Sequence, residues 1–165
     1  MTTRKRHAVV LLWSALVLTG TMFGASVYQR ISLIPDWGGD LPQSVVRYFR
    51  GTNAGHFIDR SWTSVTAPTA VAVILALVSN WNAGARRRWI LWGAILFILM
   101  LVWTAVYFIP KGVMPIMQRG GEGLTPDEIT QMARAWIFWD WFRMAGTLAS
   151  YLCLLKAVSE SESNA

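Results

Sequence analysis

The sequence predicts an all-α integral membrane protein, a four-helix bundle with an extended outer loop between helices 1 and 2. Of the 165 residues, 54% are hydrophobic and only 15% are charged, whereas soluble domains carry about 25% charged residues. Three apolar runs reach the roughly 20 residues that a membrane-spanning helix needs, and a fourth run of that length is apolar except for three charged residues. Because no β-barrel alternation is seen, helices are the only elements that could span a bilayer. The composition therefore argues against a cytosolic enzyme.

The four spans are predicted at about residues 8–29, 62–81, 89–109 and 135–158, within a single transmembrane domain over 1–165. The first three contain no charged residue, and the fourth is interrupted by Asp140, Arg143 and Lys156. The connecting segments 30–61 and 110–134 are predicted to be outer loops.

The first span has an alternative interpretation, because a basic start followed by an apolar run also describes a cleaved signal peptide. The run continues to Tyr28, beyond the apolar core of about 7–15 residues that such peptides have. Retention as a helix is therefore favoured. Gly20 and Gly24 form a small-xxx-small pattern that permits close helix packing, although glycines are also tolerated elsewhere in membrane helices.

Positive charge at the span ends predicts the orientation, because cytoplasmic loops are enriched in Lys and Arg. Residues 4–6 are basic, residues 86–88 are three arginines, and Lys156 closes the fourth span. Both termini and the 86–88 loop are thus predicted to be cytoplasmic, in a multi-pass protein of a bacterial inner membrane or a plasma membrane. The net charge is +6, and the basic residues lie beside apolar runs. The expected partner is therefore the lipid bilayer and not nucleic acid. A homo-oligomer is left open.

The outer loops contain local structure of their own. Residues 35–39 are typical of a turn, and Ser44 is placed to cap a short amphipathic helix that lies on the membrane or covers the bundle. Thr125, Pro126 and Glu128 form a capping-box pattern with proline at the first helical position. The last helix is therefore predicted to begin near Pro126 and to project beyond the membrane.

Asp140 and Arg143 are the main candidate functional residues. A charged residue at the centre of a membrane helix costs about 2.5–3.5 kcal/mol on insertion scales, so such residues usually face the protein interior and mark a function. Their i, i+3 spacing allows them to form an ion pair. A buried ion pair that only fixes the register of the helix is the structural alternative.

A polar stripe extends from this pair along one face of the fourth helix: Trp136, Asp140, Arg143, Thr147 and Ser150. The stripe is predicted to face inward. The opposite positions are expected to meet lipid or neighbouring helices: Phe138, Phe142, Ala145 and Leu152.

Other polar and aromatic side chains near the outer ends of the spans are further candidates. Tyr28, Trp103 and Tyr107 are candidates for contacting a ligand, and aromatic packing or interfacial anchoring is the alternative for the last two. His56 lies just outside the second predicted span and is a candidate proton acceptor, because histidine titrates near neutral pH. Its alternative is a solvated loop histidine.

The chain holds one cysteine and two histidines. This count excludes disulfide scaffolds and thiolate metal centres, and it disfavours a two-histidine haem site. No metal site and no cofactor are predicted.

Several motifs together resemble one known group of proteins. They are Tyr107-Phe108-Ile109-Pro110, Thr125-Pro126-Asp127-Glu128, the Trp136, Asp140 and Arg143 series, and residues 48–57. With these motifs the chain resembles the anthrone oxygenase-like family of small four-span membrane proteins, whose bacterial members are mostly of unknown function. Asp140 stands where the family usually has Asn, and Lys111 where an Asn is often found. The resemblance implies oxidation of anthrones to anthraquinones by O₂ without a bound cofactor.

Two functions are consistent with these observations. The first is a cofactor-independent oxygenase or oxidoreductase acting on a lipophilic aromatic or quinone-like compound. Its candidate catalytic residues are Asp140 or His56 as a base and Arg143 as the group that stabilises an oxyanion. The candidate substrate-binding residues are Trp136, Trp103, Tyr107, Tyr28 and Thr147. The alternative is a non-catalytic membrane binding or accessory protein that holds a lipid, a small solute or a partner helix.

Overall fold

The computed structural model describes residues 3–51, 54–113, 116 and 121–162, and within these ranges every regular element is helical. The prediction of an all-α protein is thus confirmed. The helices are α1 (Thr3–Tyr28), α2 (Ile34–Gly38), α3 (Gln43–Gly51), α4 (Ala54–Ser79), α5 (Ala85–Trp103) and α6 (Pro126–Glu162). Two π-helical segments, Gln29–Leu33 and Thr104–Val113, follow α1 and α5.

Two helical stretches are long and apolar enough to cross a membrane. They are Lys5–Gly38, with 34 residues, and Ala85–Pro110, with 26 residues. At about 1.5 Å per residue, both exceed the roughly 30 Å of a bilayer hydrocarbon core. Ser64–Ser79 is a shorter apolar helix. By length and composition, the described part of the chain thus contains two candidate membrane spans.

The segment predicted as an extended outer loop is largely helical. The π-helical segment continues α1 into α2, α3 follows, and α4 begins at Ala54 and not near residue 62. The prediction of a turn over residues 35–39 is wrong, because α2 extends to Gly38. Pro35 lies in the first turn of α2, directly after the π-helical segment.

The predicted amphipathic helix near Ser44 is present as α3, but Ser44 does not cap it. The Ser44 hydroxyl donates to the carbonyls of Trp37 (2.6 Å) and Asp40 (2.8 Å). It therefore bonds back toward the end of α2, and α3 begins one residue earlier, at Gln43. Val45 and Phe49 are buried while Arg47 and Arg50 are exposed, so the apolar face of α3 packs against protein.

The capping box at the start of α6 is present, as the sequence predicts. The backbone N–H and hydroxyl of Thr125 both donate to Glu128 Oε2, at 2.7 and 2.9 Å, and the Glu128 N–H donates back to Thr125 Oγ1 at 3.3 Å. The backbone hydrogen bond from Thr125, followed by its hydroxyl, lowers the pKa of the exposed Glu128 carboxyl. Pro126 is the first residue of α6.

The chain divides into two compact units. The first comprises residues 3–24, 64–100 and 145–162. Its core is built from small and aliphatic side chains of α1, α4, α5 and α6: Leu12, Ala15, Leu16, Ala72, Val73, Ala76, Ile90, Ala94, Leu154, Ala157 and Val158.

Close helix packing in the first unit depends on glycine. A Cβ on Gly93 would lie 3.3 Å from the Leu154 side chain and from the Ser150 carbonyl oxygen, and the Ser150 hydroxyl donates to the Gly93 carbonyl at 2.8 Å. In the predicted small-xxx-small pair, a Cβ on Gly20 would lie 3.0 Å from the Tyr151 ring, whereas Gly24 has no described neighbour within 4 Å. Only one glycine of that pair is therefore used for close packing.

The second unit comprises residues 25–51, 54–63, 101–113, 116 and 121–144 where the chain is described. Its core is aromatic and aliphatic: Ile34, Trp37, Val45, Phe49, Phe108, Ile116, Ile129, Ala133 and Trp136. This unit contains the candidate site.

Candidate functional site

Asp140 and Arg143 form a buried ion pair on α6 within the second unit. The Arg143 Nη2 donates to Asp140 Oδ1 at 2.5 Å. Asp140 is 0% exposed and Arg143 is 6% exposed. The i, i+3 pairing that the spacing predicts is thus present, and it is held away from solvent, where charge–charge interactions are screened least.

Gln29 is a second partner of the same guanidinium. The Arg143 Nη2 also donates to Gln29 Oε1 at 2.7 Å, and Gln29 is buried with 4% exposure. Gln29 is the first residue of the π-helical segment that follows α1. Sequence reasoning used Gln29 only as the end of the first span, although an uncharged amide closing a long apolar run is itself a signal of a buried polar contact.

The ring of Phe108 provides the third contact of Arg143. The guanidinium carbon lies 5.6 Å from the centroid of the Phe108 ring, within the distance of a cation–π interaction. Phe108 belongs to the second π-helical segment. Gln29 and Phe108, two of the contacts of Arg143, thus both lie in π-helical segments.

Arg30, the next residue of the first π-helical segment, also contacts α6. Its Nη1 donates to the Ile137 carbonyl at 2.9 Å, and its guanidinium lies 4.4 Å from the Trp141 ring centroid. Consecutive residues of this segment, Gln29 and Arg30, therefore both bond to α6.

Trp136 lies in an aromatic cluster one helical turn before Asp140. Its ring centroid is 5.0 Å from that of Trp37, 5.9 Å from that of Phe49 and 6.2 Å from that of Phe108. Trp136 is 2% exposed. The carboxylate and guanidinium are thus followed along α6 by a buried cluster of aromatic rings.

Among the buried polar atoms of the site, Asp140 Oδ2, an acceptor, and Trp136 Nε1, a donor, have no hydrogen-bond partner within the described residues. Buried polar atoms are usually paired, and an exception needs an explanation such as a catalytic role or a bound molecule. A ligand with a hydroxyl group could satisfy either atom.

Trp103 and Tyr107 lie in an outer aromatic layer of the second unit. The Trp103 ring stacks on Phe108 with centroids 5.5 Å apart and lies 6.0 Å from Tyr107. Tyr107 is 39% exposed. Trp103 contacts the Phe108 ring, and that ring in turn lies against the Arg143 guanidinium.

The remaining predicted site residues are placed as follows. Tyr28 is 58% exposed at the end of α1. Thr147 is buried and belongs to the first unit. His56 lies in the first part of α4 and not in a loop, and its side chain is outside the described part of the structure. Of the predicted site residues, Trp136, Asp140 and Arg143 thus lie together in the structure. Gln29 and Phe108 belong to the same group of contacts, whereas Tyr28 does not.

Comparison with known proteins identifies no relative of this chain. No protein-family model, no curated protein and no solved structure matches it. The resemblance to the anthrone oxygenase-like family therefore stays a prediction from the motifs.

Proposed function

We propose that the chain is a multi-pass membrane protein with four spans and cytoplasmic termini. Large apolar side chains are exposed on all four long helices, and a soluble monomer rarely exposes apolar patches of this extent. They include Val10, Trp13 and Val17 on α1, Val71, Ile74 and Val78 on α4, Trp92, Leu99 and Val102 on α5, and Phe138, Phe142 and Leu152 on α6. In the apolar 18-residue window of each candidate span, only 33% and 28% of the residues are buried, unlike a core helix of a soluble protein.

We further propose that the protein is an oxygenase that acts on a lipophilic hydroxylated aromatic or quinone-like compound with O₂ as co-substrate. The observation on which this depends is the buried Asp140–Arg143 pair, whose second carboxylate oxygen has no partner among the described residues. A carboxylate that is held in place through one oxygen, and whose other oxygen has no hydrogen-bond partner among the described residues, is a suitable general base.

The proposed reaction begins when Asp140 Oδ2 accepts a proton from an acidified C–H or O–H of the ring system. The positive charge of Arg143 stabilises the resulting anion, and such stabilisation is strongest in a site shielded from water. The anion adds O₂, and a C–OOH group forms after proton return. Loss of water then breaks the O–O bond and leaves a carbonyl, so that a CH₂ group and O₂ yield C=O and H₂O.

The resemblance to the anthrone oxygenase-like family also supports this proposal, since an anthrone contains such a CH₂ group between two aromatic rings. The aromatic cluster around Trp136 suits a flat substrate of that kind. Asp140 differs from the Asn usual in that family, so its role as the base is the part that most needs a direct test.

A non-catalytic binding protein is the second candidate. The donor at Trp136 Nε1 and the acceptor at Asp140 Oδ2 could hold a polar group of a lipid or a small solute without any turnover. In that case the ion pair would only orient the carboxylate.

The test is O₂ uptake and anthraquinone formation by the protein purified in a neutral detergent, with anthrone as substrate and its spontaneous oxidation subtracted. We expect Asp140→Asn to lower kcat by about 10²–10⁴-fold, the usual contribution of a general base, while anthrone still binds. Glu160→Gln, which removes a carboxylate from a partly exposed pair on the same helix, serves as the matched control and should leave kcat unchanged.

Three other results would change the conclusion. Full activity of Asp140→Asn would remove Asp140 as the base, and loss of activity in His56→Gln alone would assign that role to His56. Anthrone binding to the wild-type protein without O₂ uptake would favour the binding protein.

A further inference from the structure

A groove of about 420 Å³ lies in the second unit between α3 and the residues that lead into α6. The residues that line it include Val46, Arg47, Arg50, Gly121, Leu124 and Ile129. Trp136, Asp140 and Arg143 are not among them, so the groove is separate from the candidate site. Its volume lies in the range of about 300–1,000 Å³ typical of small-molecule sites.

The chemistry of the groove is that of an amphiphile site. Arg47 and Arg50 are exposed and three residues apart on α3, which places them on the same face of that helix. The apolar part of the lining comes from Val46, Leu124 and Ile129. Guanidinium groups bind phosphate through paired hydrogen bonds, while the apolar side chains suit hydrocarbon.

Gly121 allows the backbone to pass close to Val46 and Ile129, which line the groove. It has a positive φ of 78°, and a Cβ at this position would lie 2.6 Å from Ile129 Cδ1 and 3.5 Å from Val46 Cγ2. Both neighbours line the groove. The shape of its apolar floor therefore depends on glycine at residue 121.

We propose that this groove binds the head of an anionic phospholipid. The phosphate lies against Arg47 and Arg50, and the glycerol and first acyl carbons lie against Val46, Leu124 and Ile129. Asp127 and Glu128 follow Pro126 but do not line the groove, and the Glu128 carboxylate is hydrogen-bonded to Thr125. This proposal depends on the membrane location proposed above and not on any enzymatic activity.

The test is native mass spectrometry of the detergent-purified protein with added phosphatidylglycerol or phosphatidylcholine. We expect the wild-type protein to bind phosphatidylglycerol in preference. Replacing both arginines (Arg47→Gln with Arg50→Gln) should weaken that binding roughly thirty-fold, given the usual contribution of a basic residue near anionic lipid. The matched control is Arg87→Gln with Arg88→Gln, which removes the same charge elsewhere and should retain the preference.

Two further arms test the parts of the proposal. Arg47→Gln alone should give an intermediate loss, and Val46→Thr, which keeps the volume but adds a hydroxyl, should weaken lipid binding without affecting charge. Equal phosphatidylglycerol binding by the wild-type and the double arginine variant would overturn the proposal. Displacement of the lipid by inorganic phosphate at equal concentration would overturn it as well, because the apolar floor would then contribute nothing.

Discussion

In the described part of the second unit, the contacts of the Arg143 guanidinium include three different chemical groups. Asp140 supplies a carboxylate, Gln29 an amide oxygen and Phe108 a ring face. A buried ion pair needs such additional contacts, since the attraction between two charges often fails to offset the cost of removing both from water. The environment of Arg143 is therefore set by all three groups together.

Replacing one partner of the ion pair should destabilise the protein more than replacing both partners. We expect Arg143→Met to lower the free energy of unfolding by about 3–5 kcal/mol, because the Asp140 carboxylate would stay buried without its partner. The variant with both Asp140→Leu and Arg143→Met should be less destabilised than Arg143→Met alone. Denaturant titration in mixed micelles measures these differences.

Lys156→Met is the matched control for that experiment. Lys156 also forms an ion pair on α6, with Glu160 at 2.9 Å, but its side chain is 51% exposed. Exposed pairs contribute about 0–1 kcal/mol. Additive losses in the double variant would show that the two charges do not depend on each other.

Gln29 should contribute to stability through its bond to Arg143. We expect Gln29→Leu to lower the free energy of unfolding by about 1.5–3 kcal/mol, as for a hydrogen bond to a charged group. Gln131→Leu, at an exposed position of α6, should change it by less than about 0.5 kcal/mol. Equal effects of the two substitutions would argue against the role of Gln29.

The sequence predicts the Asp140–Arg143 contact because both residues lie on one helix, where spacing alone places them side by side. It does not predict the Gln29 contact, since Gln29 is 114 residues from Arg143. The π-helical turn that begins at Gln29 is not predicted either, because the first predicted span ends at that residue and residues 30–61 are predicted as a loop. Long-range pairing of polar groups depends on tertiary packing that periodicity does not encode.

At the scale of elements, the helix ends are predicted best where a local motif defines them. Thr125, Pro126 and Glu128 form hydrogen bonds among near neighbours, and α6 begins where that motif indicates. Ser44 is the contrasting case, because its hydroxyl bonds to the carbonyls of Trp37 and Asp40, which lie before it in the chain. A hydroxyl side chain can thus form either kind of local contact, and the sequence does not distinguish the two.

The capping box predicts a pH-dependent contribution to stability. The pKa of Glu128 is lowered in the folded protein by hydrogen bonds from Thr125. A lowered folded-state pKa means that the stabilisation is complete above the unfolded-state pKa and is lost as the pH falls through the folded-state value. The difference in Tm between wild-type and Glu128→Ala should therefore be larger at about pH 7 than at about pH 3.

Glu122→Ala provides the comparison, since Glu122 is an exposed acid in the turn before α6. Its effect on Tm should vary less with pH than that of Glu128→Ala. A difference for Glu128→Ala that stays constant from neutral to acid pH would contradict the proposed role of the ionised carboxylate.

Gly93 should be essential to the packing of α5 in the first unit. We expect Gly93→Val to destabilise the protein by about 1–3 kcal/mol, the usual cost of overpacking, because even a Cβ would be 3.3 Å from Leu154 and Ser150. Gly24→Val is the control, since no described atom lies within 4 Å of its Cβ position. Thermal unfolding in detergent measures both, and a larger loss for Gly24→Val would refute this packing role.

For the whole molecule, composition predicts the all-α class, and two helical stretches have the length and apolarity of membrane spans. The number of spans is harder to predict. Residues 54–63 are helical yet polar in part, and Ser64–Ser79 is a short apolar helix. Hydropathy alone therefore leaves a two-span and a four-span arrangement. With a cytoplasmic N-terminus, the two arrangements place residues 82 and 122 on opposite sides of the membrane.

Cysteine labelling separates these arrangements. In a Cys153→Ser background, we expect Glu122→Cys to react with a membrane-impermeant maleimide in intact cells. Asn82→Cys should react only after permeabilisation. Both residues are exposed. A protein that spans the membrane only through Lys5–Gly38 and Ala85–Pro110 would give the reverse pattern if its N-terminus is cytoplasmic, and that result would exclude four spans.

The contact between Trp37 and Trp136 has a spectroscopic consequence. Their ring centroids are 5.0 Å apart and the rings are tilted by 45°, a chiral arrangement in which the electronic transitions of two indoles couple. The pair should therefore contribute a signed couplet to the circular dichroism spectrum. The contribution is measured as the difference between the wild-type protein and a variant with either ring replaced by leucine, because Trp103 and Trp139 form a second tilted indole pair with centroids 5.6 Å apart. This signal would let the integrity of the second unit be followed without any label or bound molecule.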